Sequence, residues 1–411
     1  MKHLNSDVRF FEIDGISMIG NFRNGAIIGL DSNGKDYIQH RRNIKTHGES
    51  ENSEIETALE TLGFLDANNN TDKKLDAAYV HVTDRCNLHC VGCYSYVKER
   101  NERADLPTEQ FFHIFDQLRE LGTTKVIISG GEPLLRKDLV HICRYAKEKC
   151  NIAFITIISN GCMNKELYLP IFPYIDELNI SIDSYDENIR FIRDEGIMPT
   201  VVDTIEQLKS LIPINLIVTL HKQNMSYMSA YKDFAKKLNV RYSYSMFTVS
   251  PENPLFRDYI FNEYDLRKIV DNMMASDILD DFEDIPISRV GLSCRNGCEA
   301  GNKLVSIAAN GDVYPCHMLH TPDMKLGNLF DMKSSLQSIV FSANNPFQEL
   351  NCSTIHECRD CKYKELCGAG CRGRSYYYNK NIVSPDSYCG FIKTYYTKMI
   401  EKIKASIPCE S

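Results

Sequence analysis

Three cysteines stand close together in "DRCNLHCVGCY", residues 84–94: Cys86, Cys90 and Cys93, with three residues in the first gap and two in the second. Thiolates are strong ligands for zinc and for iron. A structural zinc site is closed by four ligands and does no chemistry. Three thiolates suit a four-iron cluster in which one iron has no protein ligand, and that iron can bind a substrate or a cofactor. A zinc site completed by His89 or by a distant residue is the alternative at this point.

A second concentration of cysteines lies near the C-terminus, where nine of the chain's 16 fall between Cys294 and Cys389. "CRDCKYKELCGAGC" sets Cys358, Cys361, Cys367 and Cys371 at gaps of two, five and three, and Cys389 follows after seventeen residues. Upstream, four residues separate Gly311 from Cys316, and Cys298 precedes that glycine. Regular periodicity is weak beyond about residue 285. A segment with so few apolar runs builds its own core with difficulty, and metal crosslinks are the natural substitute. A pair of zinc ribbons is the alternative. Cys143, Cys150, Cys162, Cys352 and Cys409 lie outside both patterns and read as plain buried or surface cysteines, with Cys162 the one nearest the expected site.

The elements that must position the first cluster are legible. "AAYVHV", "KVIIS", "FITIIS", "LNISID", "INLIVTL" and "RYSYSMF" are short strand-like runs separated by helical stretches. In one of these stretches, "TEQFFHIFDQLREL", Phe111, Phe115, Leu118 and Leu121 share a face. Six strand-then-helix repeats imply a parallel sheet with right-handed crossovers. A curved sheet of fewer than eight strands is a partial barrel, and its chemistry sits beyond the C-terminal ends of the strands. The three-cysteine loop directly follows the first run. The second run ends in "SGGEPLL", where Gly130 and Gly131 let backbone approach a ligand, Glu132 can accept from an ammonium group and Pro133 fixes the turn.

Together these residues resemble the radical S-adenosylmethionine superfamily, over roughly residues 77–285, with its Cx3Cx2C loop after strand one and GGE motif after strand two. The resemblance implies a cofactor whose amino and carboxylate groups chelate the open iron. It implies one-electron cleavage of the sulfonium bond and a 5′-deoxyadenosyl radical that takes a hydrogen atom from the substrate. It also implies that Gly130, Gly131, Glu132 and Pro133 hold the methionine end, with Ser159 and Asn160 after strand three. Ser181 and Asp183 after strand four would lie near the ribose, and Arg193 near the carboxylate. One departure concerns the aromatic residue that many members place just before the third cysteine. Here Gly92 stands there and Tyr94 follows as the aromatic candidate.

The C-terminal spacing resembles the seven-cysteine SPASM extension, which binds two auxiliary clusters. By that resemblance Cys358, Cys361, Cys367 and Cys389 ligate one. Cys298, Cys316 and Cys371 ligate the other, with Cys294 as its fourth ligand. If Cys294 does not bind, that cluster keeps an open iron able to take a substrate thiolate. The cofactor set is then S-adenosylmethionine and three 4Fe–4S clusters. The implied fold is α/β: a partial (β/α)6 barrel of TIM type with a small N-terminal α+β unit and a C-terminal iron–sulfur domain.

Three parts follow: residues 1–72, 73–285 and 286–411. In the first, "VRFFEIDGISMIGNFRNGAIIGLD" alternates apolar runs with Gly and Asn turns, as a small antiparallel sheet would, and "SEIETALETLGFL" follows at helical spacing. The polar, Asn-rich "DANNNTDKKLD" reads as a linker. The order of elements resembles the precursor-recognition domain of ribosomal-peptide maturases, which binds a leader peptide as an added strand.

A net charge of -8 without a basic run argues against nucleic acid. The N-terminus has no apolar signal core and no segment is long enough to span a bilayer, so a reduced cytoplasmic setting is expected. The partners implied are a precursor peptide with a leader and an electron donor such as flavodoxin or ferredoxin. Because hydrogen abstraction leaves a radical that must lose an electron to give an oxidised product, auxiliary clusters suit an oxidative crosslink, a thioether or a C–C or C–O bond. The alternatives are formylglycine formation on a sulfatase and peptide epimerisation. The sulfatase-maturing group places an acidic base directly after the "YPC" cysteine, whereas this chain has His317.

Overall fold

A computed structural model describes residues 3–43, 53–65, 73–184, 192–275 and 292–406 of the chain. Cys409, most of the expected linker and the boundary near residue 285 lie outside the described residues.

The N-terminal unit is the expected small sheet. Strands β1 (Val8–Ile13), β2 (Ile16–Asn21) and β3 (Ile27–Leu30) are antiparallel in that order. Asp14 and Gly15 join the first two, and both have positive φ, 50° and 87°, as a two-residue hairpin turn requires. Helices α1 (Ser32–Asn43) and α2 (Ser53–Thr61) follow. β2 is buried on both faces: Ile19 joins Ile38, Leu59 and Phe64 in the unit's own core, while Met18 joins the main core. The unit is therefore docked on the rest of the chain.

The six expected strands are β4 (Ala77–His81), β5 (Lys125–Ser129), β6 (Phe154–Ser159), β7 (Glu177–Ile182), β8 (Ile214–Leu220) and β9 (Arg241–Met246). They lie side by side in chain order, all parallel. Helix α3 (Thr108–Glu120) covers the outer face, where Phe111, Ile114, Phe115 and Leu118 are fully buried in one core with Ala78, Val80, Val126 and Ile128. Each such side chain contributes about 1.5–3 kcal/mol by leaving water. α4 (Leu139–Arg144), α5 (Met198–Leu208), α6 (Met228–Leu238) and α7 (Glu263–Ala275) complete the layer.

The regular strand-and-helix pattern departs from expectation in two places. The crossover from β6 to β7 is two 3-10 segments, Lys165–Leu167 and Leu169–Tyr174, because Pro170 and Pro173 cannot continue an α-helix. The sheet also has nine strands, not six. β10 (Leu304–Ile307) pairs parallel with β4, and β11 (Asp312–Tyr314) and β12 (Gly327–Asn328) extend it antiparallel. The C-terminal segment thus shares the barrel's sheet and main core. Among the described residues no helix is long and apolar enough to cross a membrane.

Candidate functional site

The three-cysteine loop leaves the end of β4, and the glycines after β5 lie directly against it. A Cβ on Gly130 would stand 2.3 Å from the Thr83 carbonyl oxygen, and one on Gly131 would stand 2.1 Å from that of Arg85. No side chain fits in either place. The same approach lets the Gly131 and Glu132 amides donate to the Thr83 and Arg85 carbonyls, each at 2.7 Å. Tyr94 and Ser129 share a hydroxyl hydrogen bond of 2.6 Å, and Asn160 donates to Asn87 at 2.7 Å. Arg136, which the motifs did not single out, is 4% exposed and donates to the Val82 carbonyl at 3.0 Å. Strand ends one, two and three are thereby tied into one floor under the loop.

Glu132 is fully buried. Its carboxylate accepts from the Asn160 amide at 2.8 Å, the Ser159 hydroxyl at 3.1 Å and the Leu134 amide at 3.2 Å, the last capping the 3-10 turn Pro133–Leu135. Burial nevertheless pushes its pKa up to about 7, more than the three donors and Arg193 recover. Asp183, at the end of β7, is also raised by burial, with Arg193 opposing. Arg193 donates from Nε to one Asp183 oxygen at 2.9 Å, while the other, Oδ2, is buried with no partner among the described residues. A buried carboxylate and an unsatisfied buried oxygen beside the cysteine loop are what a polar, cationic ligand would complete. Ser181 stands partly buried on the same strand.

The three thiols differ electrostatically. Burial raises Cys90 to about 12, and Arg193 Nη1, 3.7 Å from its sulfur, only partly opposes this. Burial also raises Cys93, but Arg100 and the bonds from Ser95 outweigh it and leave this thiol below its ordinary value. His89 does not face the thiols: its side chain is 80% exposed and meets Asp194 at 3.3 Å. The zinc reading with His89 as fourth ligand loses its ligand. Tyr94 and Gly92 have separate surroundings. A Cβ on Gly92 would lie 2.4 Å from the Phe247 ring, so an aromatic ring from beyond β9 covers the position before the third cysteine. The Tyr94 ring meets His81 and His317 edge-on at 6.0 and 5.4 Å.

A second group was missed in the sequence. Tyr79 and His81, two apart on β4, share a face with His317 and His320. Tyr79 stacks on His317 at 4.1 Å, His81 lies 4.6 Å from His320, and His320 bonds Ser306 at 2.8 Å. His81 Nε2 and His317 Nδ1 are buried without partners among the described residues. Burial lowers His317 to about 3 and His320 to about 4, so both imidazoles are neutral at physiological pH. The alternation of "YVH" was the available signal. Deeper between the strands, Asn179 donates to Thr156 at 2.5 Å, and Asn215 donates to Asn179 at 2.7 Å and Ser243 at 3.0 Å.

The C-terminal cysteines fall into sets. Cys367 feels Cys389, Cys358 and Cys361, after burial and Asp386, as sources of negative charge. Cys298 and Cys316 share an apolar cluster with Met318, a Cβ on Gly373 would lie 3.1 Å from Met318 and 3.5 Å from the Cys371 sulfur, and Tyr377 feels both Cys316 and Cys371. The Cys371 amide donates to Asp386 at 2.6 Å, and Asp386 pairs with the buried Arg374 at the same distance. Cys294 stands differently. It is 2% exposed, a Cβ on Gly20 of β2 would come 2.3 Å from its sulfur, and its amide donates to the Gly25 carbonyl at 2.8 Å. Burial, then Glu365 and Cys352, raise its thiol to about 12. Among the described residues no group of three or more His, Cys, Asp or Glu side chains is placed to hold a metal ion.

The fold and this site define a class, and comparison with known proteins agrees. Residues 80–235 match the Radical SAM superfamily, and residues 298–362 match the SPASM iron–sulfur cluster-binding domain. The chain carries a radical SAM domain and a SPASM domain: it is an enzyme that uses S-adenosylmethionine and 4Fe–4S clusters. The AdoMet-dependent heme synthase of Methanosarcina barkeri is 23% identical over 347 residues, which is 75% of this chain and 94% of that protein. SuiB of Streptococcus suis, solved with its precursor peptide SuiA, superposes with a TM-score of 0.61 at 19% identity, covering 95% of this chain and 100% of that one. The anSMEcpe protein with bound AdoMet gives 0.64 at 17% identity, covering 80% and 100%. At these identities the structural likeness establishes the fold.

Proposed function

We propose that this cytoplasmic enzyme modifies a ribosomally made precursor peptide, recognised through its leader, and closes an oxidative crosslink in it. The observation that carries this is the extent of the likeness to SuiB. At 95% of the chain it takes in the docked N-terminal unit as well as the barrel and the cysteine-rich end. The three parts are residues 1–72, 73–285 and 286–411. The leader adds a strand to the small sheet, whose order leaves β1 and β3 as edges. β3 carries Ile27, Ile28 and Leu30, all only partly buried.

When bound, S-adenosylmethionine and its cluster supply a 5′-deoxyadenosyl radical that removes a hydrogen atom from the substrate. Cys86, Cys90 and Cys93 hold that cluster. The Gly130–Pro133 turn admits the methionine end, and the Glu132 carboxylate accepts from its ammonium. Ser159 and Asn160 hold Glu132 in place, as their hydrogen bonds support. Asp183 and Ser181 face the ribose, Arg193 the carboxylate, and Tyr94 closes the side toward β5. Cys358, Cys361, Cys367 and Cys389 hold one auxiliary cluster, and Cys298, Cys316 and Cys371 the other. Cys294 is the proposed fourth ligand of the latter. If its sulfur serves only to seat β2 at Gly20, that cluster keeps an open iron.

The sulfatase-maturing reading has the anSMEcpe likeness in its favour, but that covers 80% of the chain. The residue after Cys316 is a neutral imidazole held at about 3, a weak base where that reading wants a carboxylate. The test of the common core is release of 5′-deoxyadenosine by anaerobically reconstituted enzyme. Replacing Cys86, Cys90 and Cys93 by Ala is expected to abolish it, and surviving cleavage would remove the assignment of that loop.

A further inference from the structure

Arg100 belongs to none of the motifs above. It lies in "YVKERNERAD", residues 96–105, a charged run that by itself reads as a solvated face. In the structure the run folds back. The Arg100 amide donates to the Val97 carbonyl at 3.2 Å, and the guanidinium returns over the three-cysteine loop. One terminal nitrogen donates to the Cys93 sulfur at 3.2 Å and the other to the Leu88 carbonyl at 3.3 Å. The Tyr96 ring lies 5.7 Å from the guanidinium carbon on the outer side. The next residue completes the clamp: Asn101, with φ of 70°, accepts the Cys86 amide on its side-chain oxygen at 2.9 Å. Two consecutive residues therefore hold the first and the third cysteine of the loop.

The two arginines near the thiols are not equivalent. Arg193 is committed to Asp183, which cancels much of its charge locally. Arg100 spends its contacts on a neutral carbonyl and on sulfur, so its charge is directed at the loop. An N–H bond to an ionised sulfur is charge-assisted, and a guanidinium stays charged at any working pH. Reduction adds negative charge to an iron–sulfur cluster, and hydrogen bonds to its sulfurs are one of the protein's means of setting its potential.

We propose that Arg100 is a positioning residue for the cofactor-binding cluster: it donates to the Cys93 sulfur, makes the cluster easier to reduce, and with Asn101 fixes the shape of the loop. This rests on the reading that Cys86, Cys90 and Cys93 hold that cluster. A lysine keeps the charge but cannot bridge Leu88 and Cys93 as the planar fork does.

The experiment is a redox titration of the reconstituted holoenzyme, followed by electron paramagnetic resonance on the signal that changes when S-adenosylmethionine is added. Arg100→Gln is expected to keep its iron and shift that signal's midpoint to a more negative potential. Arg100→Lys should fall between it and the parent. With flavodoxin as donor, cofactor cleavage by Arg100→Gln is expected to fall by about tenfold or more, and by less with a stronger chemical reductant. A midpoint equal to the parent's in Arg100→Gln would overturn the proposal. If that variant takes up no iron, an unchanged midpoint in Arg100→Lys overturns it equally. Loss of this cluster from both, with the auxiliary signals kept, would leave Arg100 a structural prop. If the responsive signal survives replacement of all three loop cysteines, the cluster assignment itself has failed and the role of Arg100 falls with it, an outcome distinct from an unchanged midpoint in the arginine variants alone.

Discussion

Glu132 illustrates how a single side chain sets a pH dependence. Its pKa of about 7 comes from burial without a cation of its own. In the cofactor-free protein the group binds a proton in the fold that it would not bind unfolded. Its contribution to stability is full below its ordinary 4.5 and is lost as pH rises through about 7. Binding an ammonium group needs the opposite form, the carboxylate. Affinity for S-adenosylmethionine is therefore expected to rise with pH and to weaken by about tenfold per unit below 7. Anaerobic equilibrium dialysis between pH 6 and 8 reads this directly. Glu132→Gln should bind more weakly at pH 8 and show no such slope, whereas a slope that persists in the variant assigns the titration elsewhere. Cys294 is the other residue with two possible roles. As a ligand, its replacement by Ser should lower auxiliary iron and change the auxiliary spectra. As a seat for β2 alone, it should leave iron per chain at the parent level. The cysteine sets were legible in the sequence because ligand spacing is local. Arg100 was not: its partner is reached only through a turn that a charged run does not announce. His81 and His320 were likewise hidden, since they meet across β4 and a loop more than two hundred residues away.

At the scale of elements, the strands that were easy to read are those of five to seven residues that carry β-branched or aromatic side chains, β4 to β9. β10, β11 and β12 have four, three and two residues, too short for any alternation to show, and they exist because the edge of β4 offers unpaired backbone. Proline density in "LYLPIFPY" was a readable sign that the third crossover is not α-helical. Gly20 lies at the seat of the N-terminal unit. Adding a Cβ at Gly20 would place it 2.3 Å from the Cys294 sulfur. Gly20→Ala is expected to cost about 1–3 kcal/mol by overpacking. Thermal unfolding of the variant should show this loss, with peptide modification falling further than cofactor cleavage. Equal losses in both reactions would mean that the unit supports the barrel and does not position the peptide.

Across the whole molecule, one sheet runs from the last strand of the barrel to the C-terminal cysteine-rich segment, and the N-terminal unit rests on that segment. Lys362, one residue after Cys361, pairs with Asp14 at 2.9 Å, and Lys303 donates to the Arg23 carbonyl at 3.3 Å. The pairing itself is exposed and worth about 0–1 kcal/mol, so it marks the contact without holding it. A peptide held on the small sheet would therefore lie on the same body as both the barrel mouth and the auxiliary cysteines. An oxidative reaction needs this arrangement, because the carbon radical and the acceptor of its electron must be reached from one binding event.

The most direct measurement is the intact mass of a precursor peptide encoded beside this gene, after anaerobic co-expression with the enzyme. The account predicts the loss of two hydrogens for each crosslink, and fragmentation then locates the bond. An unchanged mass, in a preparation whose cofactor cleavage is confirmed, would contradict the crosslink and turn the assignment toward epimerisation or a different substrate.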